Sequence, residues 1–417
     1  MGIQSSIATD FPTIIICVIL LIVAFVAPLL SPFFRKKGIM QELHNDDADN
    51  KNSSEAESPF HPITVVITTH DNSDDLQRNL PLFLRQDYPA GFRVIVVADE
   101  TDSNTIDVLK RFATGNGHFN ESTIEGNESV KISSVNTQLY YILLPSSSRY
   151  MSRKKLGVTL GVKAAKTEWV LLTDPFCHPV GDQWLKEMAK KAEEKRNLVM
   201  GYTCYTEDAP DYMRFLRLHT DFYLMRQALK GTAYRAQGSN LMFRKTEFLN
   251  CEGYRGNLEL IRGEYDFIVN KYAKEGGTAL QLNPEAWMIE DVPEKRAWRN
   301  KYLFTLANLH KLQRRTAVHL LYLLDQAALH LILWALIATA VISGCMEQWL
   351  VVGTAVLALI VNVGINTLIC KSAIKEFDTQ IPAYKLYVFQ LRVFWTRLFM
   401  RLLYWKANKL DFTTHKQ

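Results

Sequence analysis

The sequence predicts an α/β protein: a Rossmann-like domain with a mostly parallel sheet, joined to transmembrane helices. Three observations carry this. From Ile63 onward, short apolar β-branched runs alternate with helical stretches, the pattern of βαβ units. The stretch Glu168–Pro179, EWVLLTDPFCHP, is an apolar run ending in Thr173, followed by an aspartate and a Pro-containing turn. It reads as a buried parallel strand that delivers Asp174 to its carboxyl end, where open α/β sheets keep their ligand sites. Finally, Phe11–Leu30, Leu320–Ile342 and Trp349–Ile369 are apolar runs long enough to span a bilayer.

Composition sets the bounds. With 417 residues and 48% hydrophobic content, the chain can bury one large or two modest cores. A formal charge of +5 is mild and implies no nucleic-acid partner; the basic residues gather beside apolar segments instead. The six cysteines show no CxxC or Cys/His spacing, so neither a zinc ribbon nor a disulfide framework is supported, and the soluble part reads as belonging to a reducing compartment.

In chain order, Phe11–Leu30 is read as an uncleaved anchor, because no Lys or Arg precedes it and Arg35, Lys36 and Lys37 follow directly. That charge bias places the downstream domain on the cytoplasmic face. Residues 35–60 read as a flexible acidic linker, and with this placement the sequons at Asn52, Asn120 and Asn127 carry no weight. Strands are expected at Ile63–Thr68, Arg93–Ala98, Tyr140–Leu144 and Trp169–Thr173. Helices are expected at Asp74–Gln86, Asp102–Phe112, Lys155–Ala165 and Gln183–Lys195, with a polar surface insertion over Gly115–Thr137. Further strands fall at Leu198–Thr203 and Asn240–Phe243, and helices at Tyr212–Leu229 and Glu264–Lys274. Residues 61–315 thus form the α/β domain. Residues 316–370 form a helical hairpin with both ends cytoplasmic, in which Asp325 and His330 lie near that interface. Tyr384–Lys409, aromatic and punctuated by Lys and Arg, reads as an interfacial or partner-packed helix.

Five ordered segments resemble the family 2 glycosyltransferases of GT-A fold, membrane-anchored bacterial members above all: VVITTHDNSDDL (Val65–Leu76), VIVVADETDSN (Val94–Asn104), SRKKLGVTLG (Ser152–Gly161), LLTDPFCHP, and Gly238–Asp266. The resemblance covers roughly Pro62–Lys311. It implies a nucleotide-sugar donor held by Thr69, His70, Asn72, Asp99, Arg153, Lys154 and Asp174. Asp174 would serve Mg²⁺ or Mn²⁺ or the ribose, and Asp99 the base. Glu264 or Asp266 would be catalytic on the acceptor side, with Trp298 and Arg299 as an acceptor-side lid. The implied acceptor is a glycan or lipid-linked precursor of cell-surface polysaccharide at the inner membrane. The chemistry makes the same demands: a diphosphate leaving group needs a metal or fixed cations, and an acceptor hydroxyl needs a carboxylate within reach. Independently, basic residues at a helix start oppose the macrodipole, a cost that a bound anion would relieve.

The pattern departs from the family at three places. Asp-x-Asp becomes Asp174-Pro175-Phe176, the acidic motif becomes Gly263-Glu264-Tyr265-Asp266, and the Trp-centred motif becomes Trp298-Arg299-Asn300-Lys301-Tyr302-Leu303. Phenylalanine offers no oxygen to a hard cation, and tyrosine is a poor base at neutral pH. Two readings follow: a transferase, or a catalytically degenerate binding subunit of the same fold. A transporter is disfavoured, since three spans leave too little protein for a gated path.

Overall fold

The computed structural model describes residues 11–52, 60–114, 118–119, 137–145, 152–313, 315–378 and 380–413. In chain order the elements are α1 (Phe11–Val26), α2 (Lys37–Asn52), β1 (Ile63–Thr68), α3 (Ser73–Leu84), β2 (Phe92–Asp99), α4 (Ser103–Phe112), β3 (Ala113–Thr114), β4 (His118–Phe119), β5 (Thr137–Leu144), α5 (Arg153–Ala164), β6 (Trp169–Thr173), β7 (Cys177–Pro179), α6 (Trp184–Lys190), β8 (Leu198–Gly201), β9 (Thr203–Tyr205), α7 (Asp211–Lys230), β10 (Leu241–Arg244), α8 (Lys245–Asn250), α9 (Glu264–Tyr272), β11 (Thr278–Gln281), β12 (Met288–Glu290), α10 (Lys295–Leu309), α11 (Arg315–Cys345), α12 (Trp349–Ile374) and α13 (Ala383–Lys406). They fall into two compact units.

The larger unit (Ile39–Ala209, Leu224–Arg315 and Met400 onward) is the α/β domain. Its main sheet runs β11-β8-β10-β6-β1-β2-β5-β4-β3. β6, β1, β2 and β5 are mutually parallel, β10 is antiparallel to both its neighbours, and β11 pairs parallel with β8. Every residue of β1 is buried, as a strand covered on both faces requires. Ile63, Val65 and Ile67 meet Leu76, Leu80 and Phe83 of α3 in the main core. On the other face, α5 packs Leu156 and Leu160 onto Ile95 and Val97. Two glycines one helical turn apart let α5 lie that close. A Cβ at Gly161 would meet Val66 Cγ1 at 2.5 Å, and one at Gly157 would meet Thr68 Cγ2 at 3.1 Å.

Four sequence expectations change here. Residues 37–52, expected as part of the linker, form helix α2, because Ile39 and Leu43, four apart, bury their side chains. The expected strand Leu198–Thr203 divides at Tyr202 into β8 and β9, which join different sheets. Asn240 sits in the break and donates to the carbonyls of Tyr202 (3.1 Å) and Ala286 (2.9 Å). A small second sheet, β7-β12-β9, was not anticipated. The helix expected over Gln183–Lys195 is confined to Trp184–Lys190. The expected insertion over Gly115–Thr137 lies mostly outside the described residues.

The smaller unit holds α1, α11, α12, most of α13 and the segment Pro210–Tyr223, which had been assigned to the α/β domain. Arg214 of that segment pairs with Asp378 (3.2 Å), and Phe33 packs its ring on Phe215 and Phe222. Among the described residues, three helices are long and apolar enough to cross a membrane: Phe11–Leu30, Tyr322–Cys345 and Trp349–Ile374. Asn362 of α12 donates to the Ala24 carbonyl of α1 at 3.2 Å, a polar link of the kind that holds apolar helices together. Asp325 accepts from the Tyr223 hydroxyl at 2.6 Å, and His330 contacts its own helix at the Gln326 carbonyl.

Candidate functional site

In the α/β unit, β1 lies between β2 and β6, and the chain reaches β6 only after building β2 and β5 on the other side. That reversal of strand order is where a parallel sheet opens a crevice at its carboxyl ends. Three consecutive strand ends supply residues there. Asp99 closes β2, Thr69–Asn72 follow β1, and Asp174 follows β6. Asp99 and Asp174 are 1% and 3% exposed, so neither carboxylate can stand without a partner.

Both partners come from the first turn of α5. Ser152 caps this helix: its hydroxyl accepts from Lys155 N (3.3 Å) and donates to the Ile261 carbonyl (2.8 Å). Arg153 Nε donates to Asp99 Oδ1 at 2.6 Å, while His70 Nδ1 meets the other oxygen of Asp99. Lys154 bridges two acids, with Nζ 2.5 Å from Asp174 Oδ1 and 2.6 Å from Glu264 Oε1. Lys155 turns the other way and donates to the carbonyls of Asn257 (2.6 Å) and Leu260 (2.7 Å). Four successive residues thus fasten two strand ends and the loop that leads into α9. That loop ends at Gly263, whose φ of 103° favours glycine.

Electrostatics separates the two acids of α9. Burial pushes the Glu264 carboxyl up, but Lys154 and then Arg262 outweigh it and hold it at about 2. Asp266 goes the other way: burial raises it, and Arg235 at 3.5 Å only partly compensates. Burial alone would lower the Lys154 ammonium; Asp174 and Glu264 together raise it. Burial, then Asp174 and Glu264, pushes the Tyr265 phenol well above its ordinary value, so it is no base at neutral pH. Burial lowers Lys155 to about 8.

The structure therefore gathers His70, Asp99 and Arg153 in one cluster, and Lys154, Asp174 and Glu264 in the adjoining one. Thr69 is buried and its backbone N–H donates to the Val97 carbonyl at 2.9 Å. Asn72 donates its amide to Asp75 (3.4 Å). Trp298 packs on Tyr302 of its own helix and Arg299 is exposed; the contact from α10 to the acids comes from Asn308, beside Asp266. Three contributors escaped the sequence reading. Ser239 donates to Asp174 Oδ2 at 2.6 Å. Asp102 accepts from the Asp71 backbone N–H (3.0 Å) and caps α4 through Thr105 N (3.1 Å), fixing the loop after β1. Arg235 pairs with Asp266. Ser239 and Arg235 lie far from Asp174 and Asp266 in sequence and carry no local signal; Asp102 carries one, an aspartate immediately ahead of helix Ser103–Phe112, which the sequence reading placed inside the helix instead.

The residues present do not fit a hard divalent cation at Asp174. One of its oxygens takes the Lys154 ammonium and the other the Ser239 hydroxyl. The position two residues on is Phe176, which packs against the main core. Among the described residues, no group of three His, Cys, Asp or Glu is placed to hold a metal ion.

No protein-family model and no curated protein matches the sequence. Among solved structures, the chain is similar to the mannosyltransferase PcManGT from Pyrobaculum calidifontis, determined in complex with GDP-Man and Mn²⁺. The identity is 14% and the TM-score 0.48, over 93% of this chain and 99% of that one. S. aureus TarS aligns at 12% identity and TM-score 0.39, over 63% of this chain and 42% of that chain. The TarS 1–349 structure aligns at 11% identity and TM-score 0.39, over 83% and 92%. At such identities and scores the likeness carries no argument.

Proposed function

We propose that this chain is a membrane-anchored glycosyltransferase of the family 2, GT-A type. It would move a sugar from a nucleotide-sugar donor to a glycan or lipid-linked acceptor of cell-surface polysaccharide synthesis, with the α/β unit cytoplasmic. One observation carries the reading. Two buried carboxylates, Asp99 and Asp174, flank the strand-order reversal, and the basic first turn of α5 reaches both. In this reading the strand-order reversal serves as an anion-facing crevice, with the acids meeting the polar edges of a nucleoside. In this reading Asp99, His70 and Arg153 take the base and sugar side, and Arg153 and Lys154 the diphosphate. Of the two acids on α9, Asp266 retains the greater proton affinity and is the better base, whereas Lys154 holds Glu264 ionised.

A second reading, a binding subunit without turnover, is favoured by Tyr265 and Phe176 at catalytic positions and by ion pairs on Asp99, Asp174 and Glu264. The deciding experiment incubates the full chain in detergent with a broad nucleotide-sugar panel and follows nucleoside diphosphate release, beside the double variant Phe176→Asp/Tyr265→Asp. Turnover by the wild-type chain supports the transferase. Turnover confined to the double variant supports the binding subunit, and release from no sugar by either overturns the first reading.

A further inference from the structure

The donor set around Asp174 is that of an ion pair, and the ion is part of the chain. The Lys154 ammonium lies 2.5 Å from Asp174 and 2.6 Å from Glu264, and the two acids are 3% and 4% exposed. Ser239 takes the remaining oxygen of Asp174. The lysine cannot drift, because its neighbours on the same turn are committed: Ser152 to Ile261, Arg153 to Asp99, and Lys155 to Asn257 and Leu260. The Lys154 ammonium also faces the Tyr265 ring at 5.5 Å, and Arg262 is the further cation acting on it. A divalent ion entering here would have to displace both the ammonium and the serine hydroxyl.

We propose that Lys154 is the resident cation of this site. Its ammonium fills the place between Asp174 and Glu264 that a metal would otherwise occupy, and a nucleoside diphosphate binds without one. The nucleotide half of this inference rests on the transferase reading above; the metal half does not. A lysine in this place supplies one fixed charge that needs no loading and is independent of metal supply. It also explains how Asp174 and Glu264 share a buried site without mutual repulsion.

The test measures Mn²⁺ binding to the full chain in detergent by loss of the free-ion electron paramagnetic resonance signal. Calorimetry with UDP, GDP, ADP and dTDP, with and without Mn²⁺, runs alongside. The wild-type chain should bind no Mn²⁺ beyond what Asp174→Asn also binds. Lys154→Ala, or Lys154→Met if the alanine variant misfolds, should gain about one Mn²⁺ that a further Asp174→Asn removes. Any diphosphate that binds the wild type should do so equally with and without Mn²⁺. A wild-type Mn²⁺ site abolished by Asp174→Asn, or about tenfold tighter nucleotide binding with Mn²⁺, overturns the proposal. So does failure of both lysine variants to gain the ion. If no nucleoside diphosphate binds under either condition, the transferase reading fails, and the Mn²⁺ measurement still decides the role of the lysine.

Discussion

Arg153, the first residue of α5, donates its Nε to Asp99, the last residue of β2, at 2.6 Å. The helix start and the strand end are thereby one electrostatic unit, although 54 residues separate them. Replacing Arg153 with Ala leaves Asp99 to His70 alone. The arginine is 37% exposed, so solvent takes part of its place, and the expected loss of stability is about 1 kcal/mol. In the transferase reading, nucleoside diphosphate affinity should fall further, by about tenfold, because that reading sets Arg153 against the diphosphate. Thermal unfolding and calorimetry on the same preparation measure the two losses.

The seating of α5 on the sheet predicts a graded series. Gly161→Ala places a Cβ 2.5 Å from Val66 and should destabilise by about 1–3 kcal/mol, as overpacking does. Gly157→Ala, at 3.1 Å from the Thr68 methyl, should lose less. Gly181→Ala meets nothing within 4 Å and should be close to neutral. Unfolding midpoints in this order check the packing; equal midpoints for all three would refute it.

Acid should undo the Lys154–Glu264 pair. The carboxyl of Glu264 falls from 4.5 in the unfolded chain to about 2 in the folded one. Its contribution is therefore complete above 4.5 and is lost as pH falls toward about 2. The stability difference between the wild-type chain and Glu264→Gln should shrink across that window. Lys155 acts at the other end. Its folded value of about 8 lies below the ordinary 10.5. Between those values the unfolded state binds the extra proton, so stability gains with rising pH. Lys155→Met should lose that gain, which denaturation at pH 8 and 10 would show.

The orientation proposed for the helical hairpin can be read from thiols. Cys345, at the end of α11, is exposed, whereas Cys204 and Cys251 in the α/β unit are half-buried. A membrane-impermeant maleimide added to intact cells should label Cys345 alone. Cys251 should react only after permeabilisation. Labelling of Cys251 in intact cells would invert the assignment.

The sequence disclosed some of this and hid the rest for physical reasons. Strands β1, β2 and β6 were legible because buried strands leave apolar β-branched runs in the chain, and half-exposed β5 was legible over Tyr140–Leu144 as a short apolar run. Helix α2 was hidden because acidic composition outweighed two apolar residues, Ile39 and Leu43. The break at Tyr202 depends on Asn240, 38 residues away. At the site, Asp99, Arg153, Lys154, Asp174 and Glu264 could each be named from the sequence. That Lys154 answers both Asp174 and Glu264 could not, since pairing is a property of three-dimensional neighbours.

Arg153 and Lys154 are adjacent in sequence, so their side chains leave the helix about 100° apart. That angular offset is what allows one backbone turn to serve the ends of β2 and β6 at once. Register along α5 is therefore an inherited constraint: inserting a single residue between the two would swing one of them round the axis and orphan a strand end, whichever amino acid was added. Length variation in this protein should accordingly be forbidden within the first turn of α5.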